Sequence, residues 1–166
     1  MRVYSFQKLR VYQLALDIVV GIYDLTKPFP DDERYGLRSQ VRRSITSVSA
    51  NIAEGSGAIS GREQARFTVI AFRSLMETVQ HLEVAERLHY ITPAQRIATS
   101  GPIDKLANML NAYRKSQLQA YRNANQARED QAAYGLPPSI HEPEELFDFP
   151  EFSHYAPITD SSTTNN

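Results

Sequence analysis

The sequence predicts an all-α protein: an up-down-up-down antiparallel four-helix bundle followed by a disordered acidic C-terminal tail. First, apolar residues recur at helical spacing through roughly the first 125 of the 166 residues. Second, no segment alternates apolar and polar residues between turn residues, as a half-buried strand does. Third, the last 30 residues combine five of the nine prolines with acids and show no apolar periodicity, which is typical of disorder.

The first helix is predicted from about Phe6 to Thr26, where Pro28 and Pro30 follow as helix-breaking residues. Its apolar residues form two adjacent stripes, which is wider than one bundle core requires. One stripe contains Val11, Ala15, Ile18, Ile22 and Leu25, and the other contains Leu9, Tyr12, Leu16, Val19 and Tyr23. We therefore expect the chain to form a homo-oligomer.

Three acids, Asp31, Asp32 and Glu33, mark the predicted start of the second helix, because negative charge is favourable at the positive end of the helix dipole. Its apolar stripe is Leu37, Val41, Ile45, Val48 and Ile52. Gly55 marks its end, since glycine readily adopts the left-handed backbone conformation found just past many helices.

The third helix is predicted to begin at Ser60, which forms the pattern of a capping box with Glu63. Pro93 opens the fourth helix, because proline is favoured at the first helical position. Pro102 should kink or break this last segment, since it cannot donate a backbone hydrogen bond. One apolar face nevertheless continues to about Ala124, and the short connections between helices favour antiparallel neighbours.

The composition excludes several classes of protein. The absence of cysteine excludes disulfides, thiol nucleophiles and cysteine-ligated zinc or iron–sulfur sites. No apolar run approaches the ~20 residues that cross a bilayer, and the N-terminus lacks the apolar core of a signal peptide. We therefore expect a cytoplasmic protein with no membrane partner.

Charge divides the chain into two predicted domains. Residues 1–128 carry all 18 basic residues against 11 acids, for a net charge of +7, and form the predicted bundle. Residues 129–166 carry eight acids and no base, and form the predicted acidic, proline-containing tail. The net charge of −1 therefore does not exclude an anionic partner for the basic domain. The tail is expected either to dock on a protein partner, to fold back on the basic domain, or to act as a solvated linker.

In the predicted second helix, Arg34, Arg38 and Arg42 stand four residues apart and Arg43 adjoins them. Three of these four, Arg38, Arg42 and Arg43, have no acid three or four residues away within the helix. Like charges at this spacing are unfavourable, so these guanidinium groups should have partners elsewhere. One interpretation is pairing with acids of other helices or of other subunits, such as Asp17, Asp24, Glu77 or Glu83. The other is a nucleic-acid-binding surface, because guanidinium groups match phosphate oxygens. Further along the chain, Arg62 and Arg66 could extend that surface.

The segment after these arginines predicts a structural clasp between the second and third helices. The clasp consists of Asn51, Glu54 and Gly55. Because the helix dipole disfavours a carboxylate in the last turn, Glu54 should pair with an arginine or with backbone donors of the next helix. A phosphate-binding loop is excluded, since no strand precedes these glycines and no lysine follows them.

No pattern predicts a catalytic residue, a metal site or a cofactor. Glu86 and His89 form one Glu-x-x-His motif, but a di-iron bundle needs a second such motif. The tyrosines leave two interpretations open, which are stacking platforms for single-stranded nucleic acid and core or interface residues with hydroxyls at the edge. They are Tyr4, Tyr12, Tyr23, Tyr35, Tyr90, Tyr113 and Tyr121.

Three stretches, residues 6–13, 29–44 and 51–57, carry a family resemblance, above all the block Asn-Ile-Ala-Glu-Gly-Ser-Gly in the last of them. Over residues 4–122 the chain resembles the bacterial four-helix-bundle proteins, also called 23S rRNA intervening-sequence proteins. The resemblance implies a cyclic homopentamer with no agreed catalytic residues. A more remote similarity is to the accessory proteins of diversity-generating retroelements, which bind nucleic acid and a reverse transcriptase.

Together these features predict a non-enzymatic, oligomeric scaffold that associates with nucleic acid through its arginine-rich surface. RNA is favoured over DNA through the genomic context of the family that the chain resembles. The alternative is a protein-binding adaptor that presents a ring surface or the acidic tail to a partner protein such as a reverse transcriptase.

Overall fold

The computed structural model describes residues 4–133, which form four α-helices and no strand. The helices are α1 (Arg10–Leu25), α2 (Leu37–Ser56), α3 (Gly61–Arg87) and α4 (Pro93–Ala133). Short 3-10 turns at Ser5–Lys8 and Asp31–Arg34 precede α1 and α2. The predicted all-α four-helix bundle is confirmed, whereas the predicted tail lies outside the described residues from position 134 onward.

The chain divides into two units, Met1–Tyr121 and Arg122–Asn166. The first unit contains the bundle core, which is built from aliphatic side chains of α1 to α4. Its fully buried members include Ile22, Val41, Ile45, Val48, Ile52, Leu75, Leu82, Leu106 and Leu110. In the second unit, residues 122–133 are helical, and Gln126 donates to the Asp130 carboxylate one turn later at 3.0 Å.

The two apolar stripes of α1 differ in burial. Four residues of the first stripe are buried in the core: Val11, Ala15, Ile18 and Ile22. Residues of the second stripe are only half-buried, and Tyr23 at its end is exposed. Val20, beside the second stripe, is 62% exposed. Helix α1 therefore leaves an apolar strip that the bundle core does not cover.

Helix α1 begins at Arg10, four residues later than predicted, because Leu9 is extended (φ −71°, ψ 123°). The Gln7 side chain closes the preceding turn by accepting from the Tyr4 amide at 2.7 Å. Gln13 of α1 donates to the Gln7 carbonyl oxygen at 2.6 Å. These contacts stabilise a separate turn ahead of the helix.

The predicted start of α2 at the three acids is also wrong, because those acids form a 3-10 turn and α2 begins at Leu37. Glu33 explains the difference, since its Oε2 atom accepts from the Leu37 amide at 2.6 Å. The carboxylate thus caps α2 from outside the helix. Gly36 lies between them, and a Cβ atom there would clash with the Glu33 carboxylate.

Helix α3 begins as predicted, with the Ser60 hydroxyl accepting from the Glu63 amide at 3.1 Å. It ends in a Schellman motif, in which the Tyr90 amide donates to the Ala85 carbonyl and the His89 amide to the Glu86 carbonyl, both at 2.9 Å. The left-handed position of this motif is held by His89, with φ +60°. Glycine normally occupies this position, so the sequence contains no clear signal for it.

Helix α4 continues through Pro102, so of the predicted kink or break, the break is wrong. Proline removes one backbone donor, but its ring lies at an exposed position of the helix. Ile103 and Leu106, which follow immediately, are buried and hold this turn of the helix in the core. Tertiary packing therefore outweighs the local preference for a break.

Helices α2 and α3 pack closely because small polar side chains and a glycine line their contact. The hydroxyls of Ser44 and Thr78 lie 2.8 Å apart in the buried interior. A Cβ atom on Gly55 would be only 2.7 Å from the Cβ atom of Phe67. The glycine is therefore required by the close approach of the two helices.

Candidate nucleic-acid interface

An open groove runs along the exposed face of α2 and receives residues from the end of α1 and from the turn before α2. Four arginines line it, and we call it the arginine groove: Arg34, Arg38, Arg42 and Arg43. Two tyrosines, Tyr23 and Tyr35, also line it, and Glu54 is its acidic residue. The rest of the lining is mostly polar, since it includes Ser39, Thr46, Ser47 and Asn51.

Arg42 is held by the C-terminal end of α1. Its Nε atom donates to the Thr26 hydroxyl at 2.9 Å, and its guanidinium also donates to the Tyr23 carbonyl oxygen at 3.1 Å. The guanidinium carbon lies 4.6 Å from the centre of the Tyr23 ring. A cation is favourable at a helix C-terminus, so Arg42 satisfies the end of α1 and ties it to α2.

Arg38 is held by the connection before α2. It donates to the Pro30 carbonyl oxygen at 2.9 Å and lies 3.4 Å from the exposed Asp31 carboxylate. Its Nε atom is buried and has no hydrogen-bond partner among the described residues. Within residues 4–133 of a single chain, neither Arg38 nor Arg42 pairs with Asp17, Asp24, Glu77 or Glu83. Glu77 and Glu83 are instead near His81 and Arg87 on their own helix.

Arg43 and Arg34 remain available to a ligand. Both side chains are exposed. Within the part of the chain that the structure describes, Arg43 makes no hydrogen bond or ion pair, and the guanidinium carbon of Arg34 lies 5.9 Å from the Tyr35 ring centre. The groove thus has two anchored arginines along its wall and two arginines free to contact an anion.

The structure does not place every predicted binding residue in this groove. Arg62 and Arg66 lie in the first two turns of α3, and neither lines the arginine groove. Arg34, which does line it, was not among the predicted binding residues, whereas Tyr35 was one of the tyrosines that the sequence left open as stacking platforms. Nothing in the sequence distinguishes Tyr35 from the other six of those tyrosines, because its exposure depends on the turn before α2.

The residues of the predicted clasp lie beside the groove and between α2 and α3. Asn51 donates to the Ser47 carbonyl oxygen at 2.7 Å, and the Ser47 hydroxyl lies 3.0 Å from the Ser74 hydroxyl of α3. Gly55 is buried against Phe67. The Glu54 side chain is exposed, and no hydrogen bond or ion pair to its carboxylate is found within residues 4–133. The joint role of these three residues as a clasp stays a prediction.

The turn that carries Tyr35 is fixed by a partly buried hydrogen bond between Glu33 and Tyr90, which follows the end of α3. The Tyr90 hydroxyl donates to Oε1 of Glu33 at 3.1 Å, while Oε2 of the same carboxylate caps α2. Partial burial raises the pKa of Tyr90 above its usual value near 10, and the contact with the Glu33 carboxylate raises it further. The Phe29 ring, 5.4 Å from the Tyr90 ring, completes this contact.

The described residues contain neither a cluster that could hold a metal ion nor a helix that could cross a membrane. Among residues 4–133, no three histidines or acids converge so that they could hold a metal ion. His89 of the Glu-x-x-His motif is exposed at the left-handed end of α3. Within the same range, no helix is long and apolar enough to cross a membrane.

Comparison with known proteins places the chain in a family. Residues 7–112 match the family described as 23S rRNA-intervening sequence protein. A similar solved structure is that of a protein of unknown function from the S23 ribosomal protein family of Bacteroides thetaiotaomicron, with 28% identity and a TM-score of 0.59. The match covers 63% of this chain and 98% of that protein. No curated protein matches the sequence. The helical bundle and the match over most of it show that the chain belongs to the 23S rRNA-intervening sequence protein family.

Proposed function

We propose that this protein is a non-enzymatic, oligomeric scaffold that binds nucleic acid, with RNA favoured over DNA, through the arginine groove. The observation that carries the proposal is the position of the exposed Arg43 and Arg34 beside two arginines anchored in the same groove. Against these four arginines, Glu54 is the one acid among the described residues that line the groove. Such a surface favours a polyanion, because each phosphate that it neutralises releases condensed counterions.

The geometry also supports two different roles for the arginines, two of which are anchored to the protein while two are free to contact phosphates. Arg38 and Arg42 are oriented by hydrogen bonds to backbone carbonyl oxygens, so their charge is held beside the groove without further loss of side-chain entropy. Arg43 and Arg34 supply the remaining donors for phosphate oxygens. A ring of identical subunits would repeat this surface and increase avidity for a long polymer.

The uncovered apolar strip of α1 supports self-association as part of this function. The strip consists of Leu9, Tyr12, Leu16, Val19 and Tyr23, with Val20 beside it. Half-buried and exposed apolar residues along one helix face are typical of an interface. We propose a homo-oligomer, with five subunits as the state that the family resemblance implies. Light scattering at micromolar concentration tests this, since a mass near 18.8 kDa would contradict it.

The binding proposal is tested by Arg43→Gln, measured by fluorescence anisotropy with labelled RNA and DNA across a salt series. Arg87→Gln is the matched control, because Arg87 is an exposed arginine outside the groove, paired with Glu83 at 2.7 Å. Both variants lose one positive charge. We expect Arg43→Gln alone to weaken binding and to reduce the slope of log K against log salt by about one unit per lost contact.

Equal effects of the two variants would show that only net charge matters, and would contradict a specific groove. No detectable binding of RNA or DNA by the wild-type protein at low salt would overturn the proposed function as a whole.

A further inference from the structure

Tyr35 is an aromatic ring presented to solvent at the edge of the arginine groove. Its exposed fraction is 85%, the highest among the described tyrosines. Burying such a ring in a core or against another helix is the usual outcome, because it removes a large apolar surface from water. Among the described residues, its ring contact is the one with Arg34, at 5.9 Å.

The backbone that carries this ring is held in place on both sides. On one side, the Glu33 carboxylate bonds to the Tyr90 hydroxyl and to the Leu37 amide. On the other side, Arg38 of α2 donates to the Pro30 carbonyl oxygen at 2.9 Å. The ring therefore projects from an anchored turn, so a ligand that stacks on it does not have to order a loop first.

The second tyrosine of the groove differs from Tyr35. One face of the Tyr23 ring is covered by the Arg42 guanidinium at 4.6 Å, and that guanidinium is fixed by its hydrogen bonds to α1. Tyr23 thus has an internal partner, whereas Tyr35 has a ring open to an external one. A ring of this kind, next to exposed arginines, can stack an unpaired base while the arginines contact the adjacent phosphates.

From this arrangement we infer that the arginine groove selects single-stranded RNA, with one unpaired base stacked on Tyr35. The inference rests on the proposed function, and it adds the structural class of the ligand. A base in a duplex is already stacked on its neighbours and offers no free face, so Tyr35 would contribute to the binding of single strands only. Phosphate contacts by Arg43 would contribute to both single strands and duplexes.

The polar lining of the groove favours RNA over single-stranded DNA. The Thr46 hydroxyl donates to the Arg42 carbonyl oxygen at 2.7 Å, which leaves its oxygen lone pairs free to accept from a ribose. The Ser39 hydroxyl also lies in the groove. A 2′-hydroxyl can donate to such oxygens, and deoxyribose lacks this group.

The test compares three ligands of one sequence: a 12-nucleotide single-stranded RNA, its RNA duplex and the single-stranded DNA. The full-length wild-type protein and Tyr35→Leu, Tyr35→Phe and Arg43→Gln variants are measured by anisotropy. We expect Tyr35→Leu to weaken single-strand binding by about fivefold to a hundredfold, as the loss of one base stack does, and to leave duplex binding unchanged. Tyr35→Phe should retain single-strand affinity, since phenylalanine also stacks. Arg43→Gln should weaken both.

If Tyr35→Leu weakens the single-strand and duplex complexes equally, or neither of them, the selection of single strands is wrong while binding by the groove can still hold. Absence of binding by the wild-type protein would instead overturn the proposed function, and this inference with it.

A second measurement needs no variant. A single-stranded RNA containing 4-thiouridine should crosslink at Tyr35 on irradiation, as mapped by mass spectrometry, and crosslinks confined to residues outside the groove would overturn the inference.

Discussion

Arg42 of α2 closes the C-terminal end of α1 by donating to the Tyr23 carbonyl oxygen at 3.1 Å while its guanidinium lies 4.6 Å from the centre of the Tyr23 ring. The same side chain bonds to the Thr26 hydroxyl, which itself donates to the Ile22 carbonyl oxygen at 2.8 Å. One arginine thus joins two helices and also forms part of the wall of the groove. Arg42, like Arg38, is therefore a structural arginine of the groove, whereas the exposed Arg34 and Arg43 are the proposed binding arginines.

Arg42→Gln should therefore lower stability, whereas Arg43→Gln should not. Glutamine loses the charge at the helix end and the contact with the ring, and we expect a loss of about 1 to 2 kcal/mol in the free energy of unfolding. Arg43→Gln should stay within about 0.5 kcal/mol, as is usual for an exposed side chain without partners. Urea unfolding followed by circular dichroism measures both, and equal losses would contradict the assignment.

Gly55→Ala should destabilise the contact between α2 and α3. Its new Cβ atom would lie 2.7 Å from the Cβ atom of Phe67, at the base of a side chain that cannot rotate away. We expect a loss of about 1 to 3 kcal/mol from overpacking, less the gain in helix propensity. Gly101→Ala in α4 is the control, since its Cβ atom would have no neighbour within 4 Å. Thermal unfolding followed by circular dichroism measures both variants, and Gly101→Ala should be neutral or stabilising. A stabilising Gly55→Ala would show that the helices are not in close contact.

His89→Gly should raise the stability of the protein. The residue has φ +60°, a conformation that costs side chains with a Cβ atom about 1 to 2 kcal/mol relative to the right-handed one. Glycine avoids this cost but loses more entropy on folding, so we expect a net gain of about 0.5 to 1 kcal/mol. Differential scanning calorimetry measures the change. His89→Ala, which keeps the Cβ atom, is the matched control and should show no such gain.

Tyr90→Phe should change how stability depends on alkaline pH. Because the pKa of Tyr90 is raised in the folded protein, its contribution is fully present below the unfolded-state pKa near 10 and is lost as the pH rises through the higher folded-state pKa. Phenylalanine cannot ionise or donate to Glu33. The variant should be less stable than wild type at pH 7, and the difference should shrink above pH 10. A difference that is independent of pH in denaturant titrations would contradict a role for the hydrogen bond to Glu33.

The number of helices, their order and most of the core could be predicted from the sequence, because these depend on patterns that repeat along the chain. The stripe from Val41 to Ile52 is buried as its spacing indicates, and Ser60 caps α3 by a bond across only three residues. Such features are local, so the residue types and their spacing are sufficient to predict them.

Features that depend on groups distant in sequence were decided by the tertiary structure. Helix α2 starts at Leu37 because the Glu33 carboxylate is held by Tyr90, 57 residues further along the chain. Likewise, Arg42 bonds to the end of α1 rather than to an acid on another helix, and α4 continues through Pro102 because the next turn is buried.

The candidate site shows the same division between local and long-range information. The arginines at positions 38, 42 and 43 are evident from the sequence, since their spacing within one helix leaves them without local acidic partners. Which of them is bonded and which is free depends on where the end of α1 and the Pro30 carbonyl lie in space. By itself, the sequence determined the helices and the charge they carry. Only the tertiary structure decided which charges and rings are presented to a ligand, because backbone carbonyl groups with no sequence signature compete for the same side chains.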